Sequence, residues 1–194
     1  MEPLSLVDEA IEGGVTLVQL RLSGPDTADG LDRYAIAQRL REITAGRVPF
    51  VVTNDLELAE KASADGVLLT GAQTYRPTAA REYLRGDQPL VGCYVSTVPL
   101  AARAERGGAD YVQAGPIFAA SEDNEIVDEG LPLLRKIKDA IHLPLIAFGG
   151  IDTVELAALA VQNGADGIAV SHNLLTAPDP RAKAAALRAA LEMG

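Results

Sequence analysis

Short apolar runs rich in Val, Ile and Leu recur along the chain, separated by stretches with helical periodicity. Each run is apolar nearly throughout rather than alternating with polar residues, which is typical of parallel strands covered on both faces. The pattern therefore predicts an α/β protein with a parallel sheet. The seven predicted strands are Thr16–Arg21, Pro49–Thr53, Gly66–Leu69, Leu90–Tyr94, Tyr111–Gln113, Leu145–Phe148 and Gly167–Val170.

Eight helices are predicted between and beside these strands. We expect Asp152 to be the N-cap of one of them, because a short acidic side chain accepts hydrogen bonds from the first helical N–H groups. Pro180 suits the start of another, since proline has no N–H to leave unpaired there. The predicted helices are Leu6–Glu12, Thr27–Thr44, Leu56–Ala62, Thr78–Leu84, Val98–Arg106, Leu131–Ala140, Thr153–Gln162 and Pro180–Leu191.

A short repeat joins the end of a helix to the start of a strand. It reads Ala64-Asp65-Gly66-Val67, Ala109-Asp110-Tyr111-Val112 and Ala165-Asp166-Gly167-Ile168, and a glycine precedes the second and third copies. Glycine just past a helix adopts the left-handed conformation that turns the chain into the next strand. One βα unit repeated along the whole chain predicts a single domain over residues 1–194 with the TIM (β/α)₈ barrel fold.

The strand count is one short of this barrel, because eight helices accompany only seven strands. Two explanations stay open: Pro3–Val7 is a stub of the first strand, or residues upstream of Met1 supply it. A barrel without one strand has two edges with unpaired backbone groups, which favours association. We therefore expect a homo-oligomer.

Composition restricts the partners. The 194 residues contain 17 Lys and Arg against 27 Asp and Glu, a net charge of −10, with no basic cluster for a phosphate backbone. Nucleic acid is excluded on this ground. A membrane is excluded because no apolar run approaches the ~20 residues of a spanning helix. The start of the chain lacks a secretion-signal pattern and Cys93 is the one cysteine, which together predict a cytoplasmic protein.

A TIM barrel places its reactive groups at the carboxyl ends of the strands, and one such end carries two glycines. Gly149-Gly150 expose backbone N–H groups beside a predicted helix start, while Ser171 and His172 follow the neighbouring strand. These features predict a phosphate site between the last two strands. The alternative is that the glycines only form a tight turn.

At another strand end, Gln19 and Arg21 project to the same side, two residues apart. Arg21 either faces an anionic ligand or forms a salt bridge, with Asp55 as a candidate partner. Asp55 either caps the helix that follows it or coordinates Mg²⁺ beside a pyrophosphate. His142 lies at the opposite end of the barrel and Cys93 lies within an apolar strand, so both are interpreted as structural.

Seven segments together resemble the thiamine-phosphate synthase and thiazole tautomerase family over nearly the whole chain. The synthase of that family joins a pyrimidine pyrophosphate to a thiazole phosphate with Mg²⁺ and releases pyrophosphate, so the resemblance implies a phosphorylated small molecule as ligand. The segments are Glu12–Arg21, Thr53–Ala59, Ala64–Val67, Gly108–Val112, Gly115–Phe118, Gly149–Ile151 and Gly164–Val170.

The resemblance also implies roles for individual residues. Gln19, Arg21 and Asn54 would hold the pyrimidine pyrophosphate, and Asp55 would be one Mg²⁺ ligand. The catalytic candidates are Arg21 and His172, the one histidine placed to move a proton. The full set expected to bind substrate or phosphate is Gln19, Arg21, Asn54, Gly115, Gly149, Gly150, Ser171 and His172.

Several family residues are replaced in this sequence. The lysine two positions beyond the arginine is Ser23, the second metal carboxylate falls at Gln73, and the usual serine is Tyr94. The loop that normally ends in lysine reads Ala119–Asp123, and the catalytic histidine of the tautomerase falls at Pro116. Replacing lysine by an acid beside a pyrophosphate exchanges attraction for repulsion, about 4 kcal/mol each way at ~4 Å. An Mg²⁺ site would lack its second carboxylate.

Three functions remain open. The first is a thiamine-phosphate synthase-like barrel that binds thiamine precursors with altered or weakened transferase activity. The second is a tautomerase- or isomerase-like enzyme acting on another phosphorylated metabolite. The third is a non-catalytic binding or assembly module, favoured by the five acids of the loop Glu122–Glu129 and by the missing strand.

Overall fold

The computed structural model describes residues 3–22, 32–71, 76–120, 126–127 and 130–192. The seven predicted strands are all present within one or two residues of their predicted ends, and a short pair that the sequence pattern did not predict is added. The strands are β1 (Val18–Leu20), β2 (Phe50–Thr53), β3 (Gly66–Leu69), β4 (Leu90–Val95), β5 (Tyr111–Ala114), β6 (Ala119–Ala120), β7 (Ile126–Val127), β8 (Leu145–Phe148) and β9 (Gly167–Ala169).

The predicted helices are present as well, and the one predicted over Thr27–Thr44 begins at Arg33, with residues 27–31 outside the described part. A four-residue helix after β9 was not predicted. The helices are α1 (Pro3–Glu12), α2 (Arg33–Thr44), α3 (Leu56–Lys61), α4 (Pro77–Tyr83), α5 (Val98–Arg106), α6 (Leu131–Lys138), α7 (Val154–Gln162), α8 (His172–Leu175) and α9 (Pro180–Glu192).

Seven strands form one parallel sheet in the order β1-β2-β3-β4-β5-β8-β9, and β6 and β7 form a separate antiparallel pair. The register makes side chains alternate between two environments. Outward residues such as Leu20, Val52 and Val67 belong to the core shared with the helices, whereas Val51 and Leu68 are buried inside the curled sheet. The prediction of a TIM-barrel fold that lacks its first strand is confirmed.

The chain enters this fold through a helix. The prediction of a strand stub at Pro3–Val7 is wrong, because these residues form the first part of α1. The helix contacts both α9 and α2, and Arg181 pairs with Glu12 at 3.1 Å between α9 and α1. The ring of helices is therefore continuous where the described strands leave a gap between β9 and β1.

The start of α7 corrects another prediction. Its N-cap is Thr153, whose Oγ1 accepts a hydrogen bond from the Leu156 N–H at 3.3 Å, rather than Asp152. Thr153 has the extended backbone of a capping residue, and its hydroxyl reaches the N–H three positions ahead. Asp152 is one residue too early to do so. Pro180 is the first residue of α9, as predicted.

The repeated aspartates hold the amino-terminal end of the barrel. Asp65, Asp110 and Asp166 each precede a strand and accept the first or second N–H of the neighbouring strand, at 2.7–2.8 Å. Each also pairs with a cation on the helix one βα unit earlier in the chain, namely Arg41, Arg81 and Lys138 respectively. The repeat is thus a structural joint, remote from the carboxyl ends of the strands.

In the described ranges, no helix is long and apolar enough to cross a membrane.

Candidate functional site

Polar side chains line the barrel interior at the carboxyl ends of β1 and β2. Gln19 Nε2 donates a hydrogen bond to Thr53 Oγ1 at 3.0 Å, which links the two strands. Arg21 follows β1 and is exposed. The predicted alternative of an Arg21–Asp55 salt bridge is wrong, because Asp55 pairs with a different arginine. Arg21 is the cation at this rim that forms no ion pair with a described residue.

Asn54 lies at the end of β2 in the left-handed conformation, at φ 58°. Its amide bridges to the end of β3, since Nδ2 donates to Thr70 Oγ1 at 2.5 Å and Oδ1 accepts the Thr70 N–H at 2.7 Å. The side chain therefore has a fixed orientation at the rim. Thr70 was not among the predicted site residues, although its position at a strand end could have marked it.

Asp55 is the N-cap of α3, which confirms one of its two predicted roles. Its Oδ1 accepts the Leu58 N–H at 2.8 Å. Its Oδ2 accepts a hydrogen bond from Arg33 Nη2 at 3.0 Å, in an ion pair whose side chains are 28% and 29% exposed. Sequence reasoning missed Arg33 because the distance of 22 residues between the partners carries no local signal.

The second predicted role of Asp55, coordination of Mg²⁺, would compete with the hydrogen bonds that both carboxylate oxygens already accept, one of them from a cation. Mg²⁺ needs an octahedral set of oxygens at ~2.0–2.1 Å. Among the described residues, no group of three or more His, Cys, Asp or Glu side chains is placed to hold a metal ion. Gln73, at the position of the second carboxylate, lies outside the described residues. As arranged, the described residues do not fit Mg²⁺.

Aromatic side chains form part of the barrel interior beside β5. Tyr94 and Phe148 pack edge to face, with ring centroids 5.7 Å apart. The Tyr94 hydroxyl donates to the carbonyl oxygen of Gly115, in the loop after β5. Gly115 is buried, and a Cβ there would lie 2.0 Å from the Phe148 carbonyl oxygen. The carbonyl of Gly115 is thus engaged within the protein, and only a glycine fits at this contact.

Gly149 and Gly150 both have positive φ, at 93° and 70°. The loop after β5 fills the space where their side chains would stand, since a Cβ on Gly150 would lie 2.2 Å from the Phe118 carbonyl oxygen. This packing gives physical weight to the tight-turn interpretation. The glycine N–H groups nevertheless donate no backbone hydrogen bond to any described residue, and Gly150 is exposed. They remain available to an anion.

Ser171 and His172 stand at the start of α8, next to this turn. Phe148 and Ala169 are paired across β8 and β9, so the residues after them lie side by side. Ser171 and His172 are exposed, and Ser171 makes no capping hydrogen bond with its side chain. The structure therefore brings the predicted phosphate-binding residues together at one rim.

The two groups of predicted site residues come from opposite ends of the strand order. One group lies on or just after β1 and β2, and the other follows β8 and β9. The first is Gln19, Arg21 and Asn54, and the second is Gly149, Gly150, Ser171 and His172. They lie at a common mouth only because the sheet curls and α1 links α9 to α2. Cations and free N–H groups at such a mouth attract anionic ligands.

Two residues that the sequence analysis interpreted as structural, Cys93 and His142, lie away from the candidate site. Cys93 is fully buried on the outward face of β4, and burial, with a smaller contribution from the Asp110 charge, raises the pKa of its thiol to about 12. His142 is exposed at the amino-terminal end, where its backbone N–H donates to Glu105. Neither residue is near the mouth.

Comparison with known proteins connects this geometry to a family. The profile of the thiamine monophosphate synthase family matches residues 1–174. A thiamine-phosphate synthase of Haloarcula marismortui is 40% identical over 194 residues, covering 97% of this chain and 89% of that protein. A thiamine-phosphate synthase of Geobacillus kaustophilus is 39% identical over 189 residues, covering 96% and 84%.

Solved structures agree with the sequence relatives. A thiamine phosphate pyrophosphorylase from Pyrococcus furiosus superimposes with a TM-score of 0.82 at 32% identity, covering 98% of this chain and 89% of that one. A 3-hexulose-6-phosphate synthase superimposes with a TM-score of 0.72 at 20% identity, covering 97% and 92%. The second likeness concerns the fold alone.

Proposed function

The chain belongs to the thiamine monophosphate synthase family, and we propose that its barrel mouth binds a thiazole phosphate and a pyrimidine pyrophosphate with weakened transferase activity. The observation that carries the proposal is the turn at Gly149-Gly150. Its N–H groups have no described backbone acceptor and lie beside the exposed Ser171 and His172. Uncommitted backbone donors next to side-chain donors are a phosphate-binding arrangement.

The pyrimidine pyrophosphate is assigned to the other half of the mouth. Gln19 and Asn54 have side chains fixed by hydrogen bonds to threonines, which suits the recognition of a planar ring. Arg21 is exposed beside them, and its guanidinium matches the oxygens of a pyrophosphate. In this assignment Arg21 stabilises the charge of the departing pyrophosphate, and His172 moves a proton at the thiazole side.

The weakened activity follows from charge. A departing pyrophosphate needs cations around it, yet the positions of two family lysines carry Ser23 and the acidic segment Ala119–Asp123. Substitution of lysine by an acid costs about 4 kcal/mol in lost attraction at ~4 Å and adds repulsion of similar size. Binding is less affected than transfer, because the full leaving-group charge develops only in the transition state.

Calorimetry with thiazole phosphate and with the pyrimidine pyrophosphate, each with and without Mg²⁺, tests the proposal. We expect both to bind. Arg21→Ala should weaken the pyrophosphate ligand by about tenfold or more, the effect of losing a charged hydrogen bond. The matched control is Arg106→Ala, at the carboxyl end of α5 and so at the end of the barrel away from the mouth, which should bind like the parent chain.

Turnover is measured on the same proteins by formation of the joined product. We expect slow product formation that falls further in Arg21→Ala and in His172→Gln. Failure of both ligands to bind at millimolar concentration, roughly the weak limit of specific affinity, would exclude the function. Fast turnover without any loss in Arg21→Ala would exclude the assigned role of that residue.

A further inference from the structure

We propose that Arg33 occupies the cation position beside Asp55, so that this barrel binds the pyrophosphate-bearing ligand without Mg²⁺. The proposal rests on the function proposed above and extends it to the cofactor requirement. Its physical basis is the contact of Arg33 Nη2 with Asp55 Oδ2 at 3.0 Å, at the rim formed by β2 and the start of α2.

The ion pair is built into the backbone on both sides. Asp32 caps α2 by accepting the Tyr34 and Ala35 N–H groups at 3.0 and 3.1 Å, which fixes the first turn that carries Arg33. Asp55 caps α3 through the Leu58 N–H. Arg33 and Asp55 therefore both lie at capped helix starts, and the two caps fix the positions from which their side chains form the ion pair.

The pair also changes what Asp55 offers to a ligand. A carboxylate at the rim holds a divalent cation best while no other cation shares its charge. Here one oxygen takes a helix N–H and the other takes a guanidinium, and the two side chains are more than two-thirds buried. A metal ion bound to Asp55 would stand beside the Arg33 guanidinium, 3.0 Å from Oδ2, and like-charge repulsion opposes that.

The Arg33 guanidinium takes over one effect of the metal ion, the neutralisation of the Asp55 charge. A bare Asp55 carboxylate would repel the phosphates of a ligand at the rim, and the metal ion of the family would cancel that charge. Arg33 cancels it within the protein, at a distance of 3.0 Å. Gln73, which stands in place of the second carboxylate, fits the same change because an amide brings no charge for a metal ion to balance.

A metal-binding measurement without any organic ligand tests the first half of the proposal. Mn²⁺, a spectroscopic substitute for Mg²⁺, is titrated with the protein and the free ion is followed by electron paramagnetic resonance. The parent chain should leave Mn²⁺ free. Arg33→Gln should expose Asp55 and bind Mn²⁺ about tenfold or more tightly than the parent, and the added change Asp55→Asn should abolish that gain.

The controls separate the position of the charge from its presence. Arg39→Gln removes an arginine from the same helix, where it pairs with Glu42 in an exposed contact, and should bind Mn²⁺ no better than the parent. Arg33→Lys keeps a cation and should also exclude Mn²⁺, and circular dichroism establishes that Arg33→Gln is folded. Mn²⁺ binding by the parent that Asp55→Asn removes overturns the proposal. So does an Arg33→Gln protein that is folded and gains no Mn²⁺ binding.

The second half is tested with inorganic pyrophosphate by calorimetry. In the presence of a chelator the parent should bind it, and Mg²⁺ should change the affinity by less than about threefold, while Arg33→Gln should lose about tenfold. A parent that binds pyrophosphate only with Mg²⁺ overturns the proposal. A parent that binds no pyrophosphate under either condition contradicts the proposed function instead, whereas the Mn²⁺ result then still decides which cation Asp55 accepts.

Discussion

Tyr111 carries a hydroxyl group that is buried inside the barrel and has no hydrogen-bond partner among the described residues. Its ring covers Gly92, where a Cβ would lie 2.1 Å from the ring carbon that bears the hydroxyl. The aromatic ring thus fills space that only glycine leaves free. The oxygen it carries loses hydration on folding and gains no partner in the described part of the chain, which makes it a local source of instability.

Tyr111→Phe should therefore raise the free energy of unfolding by about 1 kcal/mol, since it keeps the ring and removes the unsatisfied hydroxyl. Urea unfolding followed by circular dichroism measures the change. Tyr83→Phe is the control, because that side chain is 51% exposed and should show no change. A destabilised Tyr111→Phe would mean that the hydroxyl has a partner in solution.

Cys93 gives a second prediction at this scale, on alkaline pH. Burial raises the pKa of the thiol to about 12, so the folded chain keeps a proton that the unfolded chain loses above its ordinary thiol pKa. The unfolded state then binds fewer protons, and the free energy of unfolding falls as pH rises, by at most about 1.4 kcal/mol per pH unit for one group. Burial also raises the pKa of Tyr111, in the same direction.

Urea unfolding at several alkaline pH values measures this slope. Cys93→Ala removes the thiol and should give a shallower decline than the parent, with equal slopes for both proteins around neutral pH. Equal slopes throughout the alkaline range would show that the thiol ionises alike in the folded and unfolded chains.

Asp55 illustrates how far sequence reasoning reaches at a single residue. Its position after a strand and before a helix was enough to offer a cap or a metal ligand, because both roles use the same carboxylate at the same place. Choosing between them required Arg33, whose guanidinium arrives from a helix 22 residues earlier. Helix caps can be predicted from neighbouring residues, whereas ion pairs between distant elements depend on the tertiary fold.

At the scale of elements, the contact between α1 and α9 joins the last βα unit to the first. In a complete barrel the first strand would make this connection. Gly13 lies at their contact, where a Cβ would come within 2.3 Å of the Arg181 carbonyl oxygen and 2.7 Å of the Ala184 Cβ. The two helices can approach this closely only at glycine. The contact between α1 and α9 therefore depends on glycine at position 13.

Gly13→Ala should lower the free energy of unfolding by about 1–3 kcal/mol, the usual cost of forcing an extra methyl group into a packed contact. The measurement is urea unfolding together with limited proteolysis, in which α1 should become a preferred cleavage site. Gly86→Ala is a matched control, because a Cβ there meets nothing within 4 Å and its φ is not positive. Equal stabilities of the two variants would contradict the assigned role of the α1–α9 contact.

Elements were predicted well where periodicity is strong and poorly where it is short. The seven sheet strands are buried apolar runs, which only a few architectures accommodate. The helix α8 has four residues and the strands β6 and β7 have two each, too few for a period to show. A strand stub at Pro3–Val7 was one of two explanations for the missing strand, offered because the expected barrel needs a strand there, and these residues instead begin α1.

The whole molecule is a curled sheet whose two ends carry the two halves of the proposed site. Arg21 follows the strand at one end, and His172 follows the strand at the other. Any change that opens the curl therefore separates the assigned pyrophosphate and phosphate positions, even where it touches neither. Gly13→Ala provides this case, so its effect on ligand affinity should exceed that of a variant equally destabilised elsewhere.

Association is the last property that belongs to the molecule as a whole. β1 and β9 have no second strand partner among the described residues, and such edges favour pairing between copies. A net charge of −10 opposes it, because like charges repel until salt screens them within about 8–10 Å. We therefore expect a homo-oligomer whose fraction rises with protein concentration and with salt. Sedimentation velocity at several concentrations and ionic strengths measures this fraction, and a monomer unaffected by either variable would contradict the expectation.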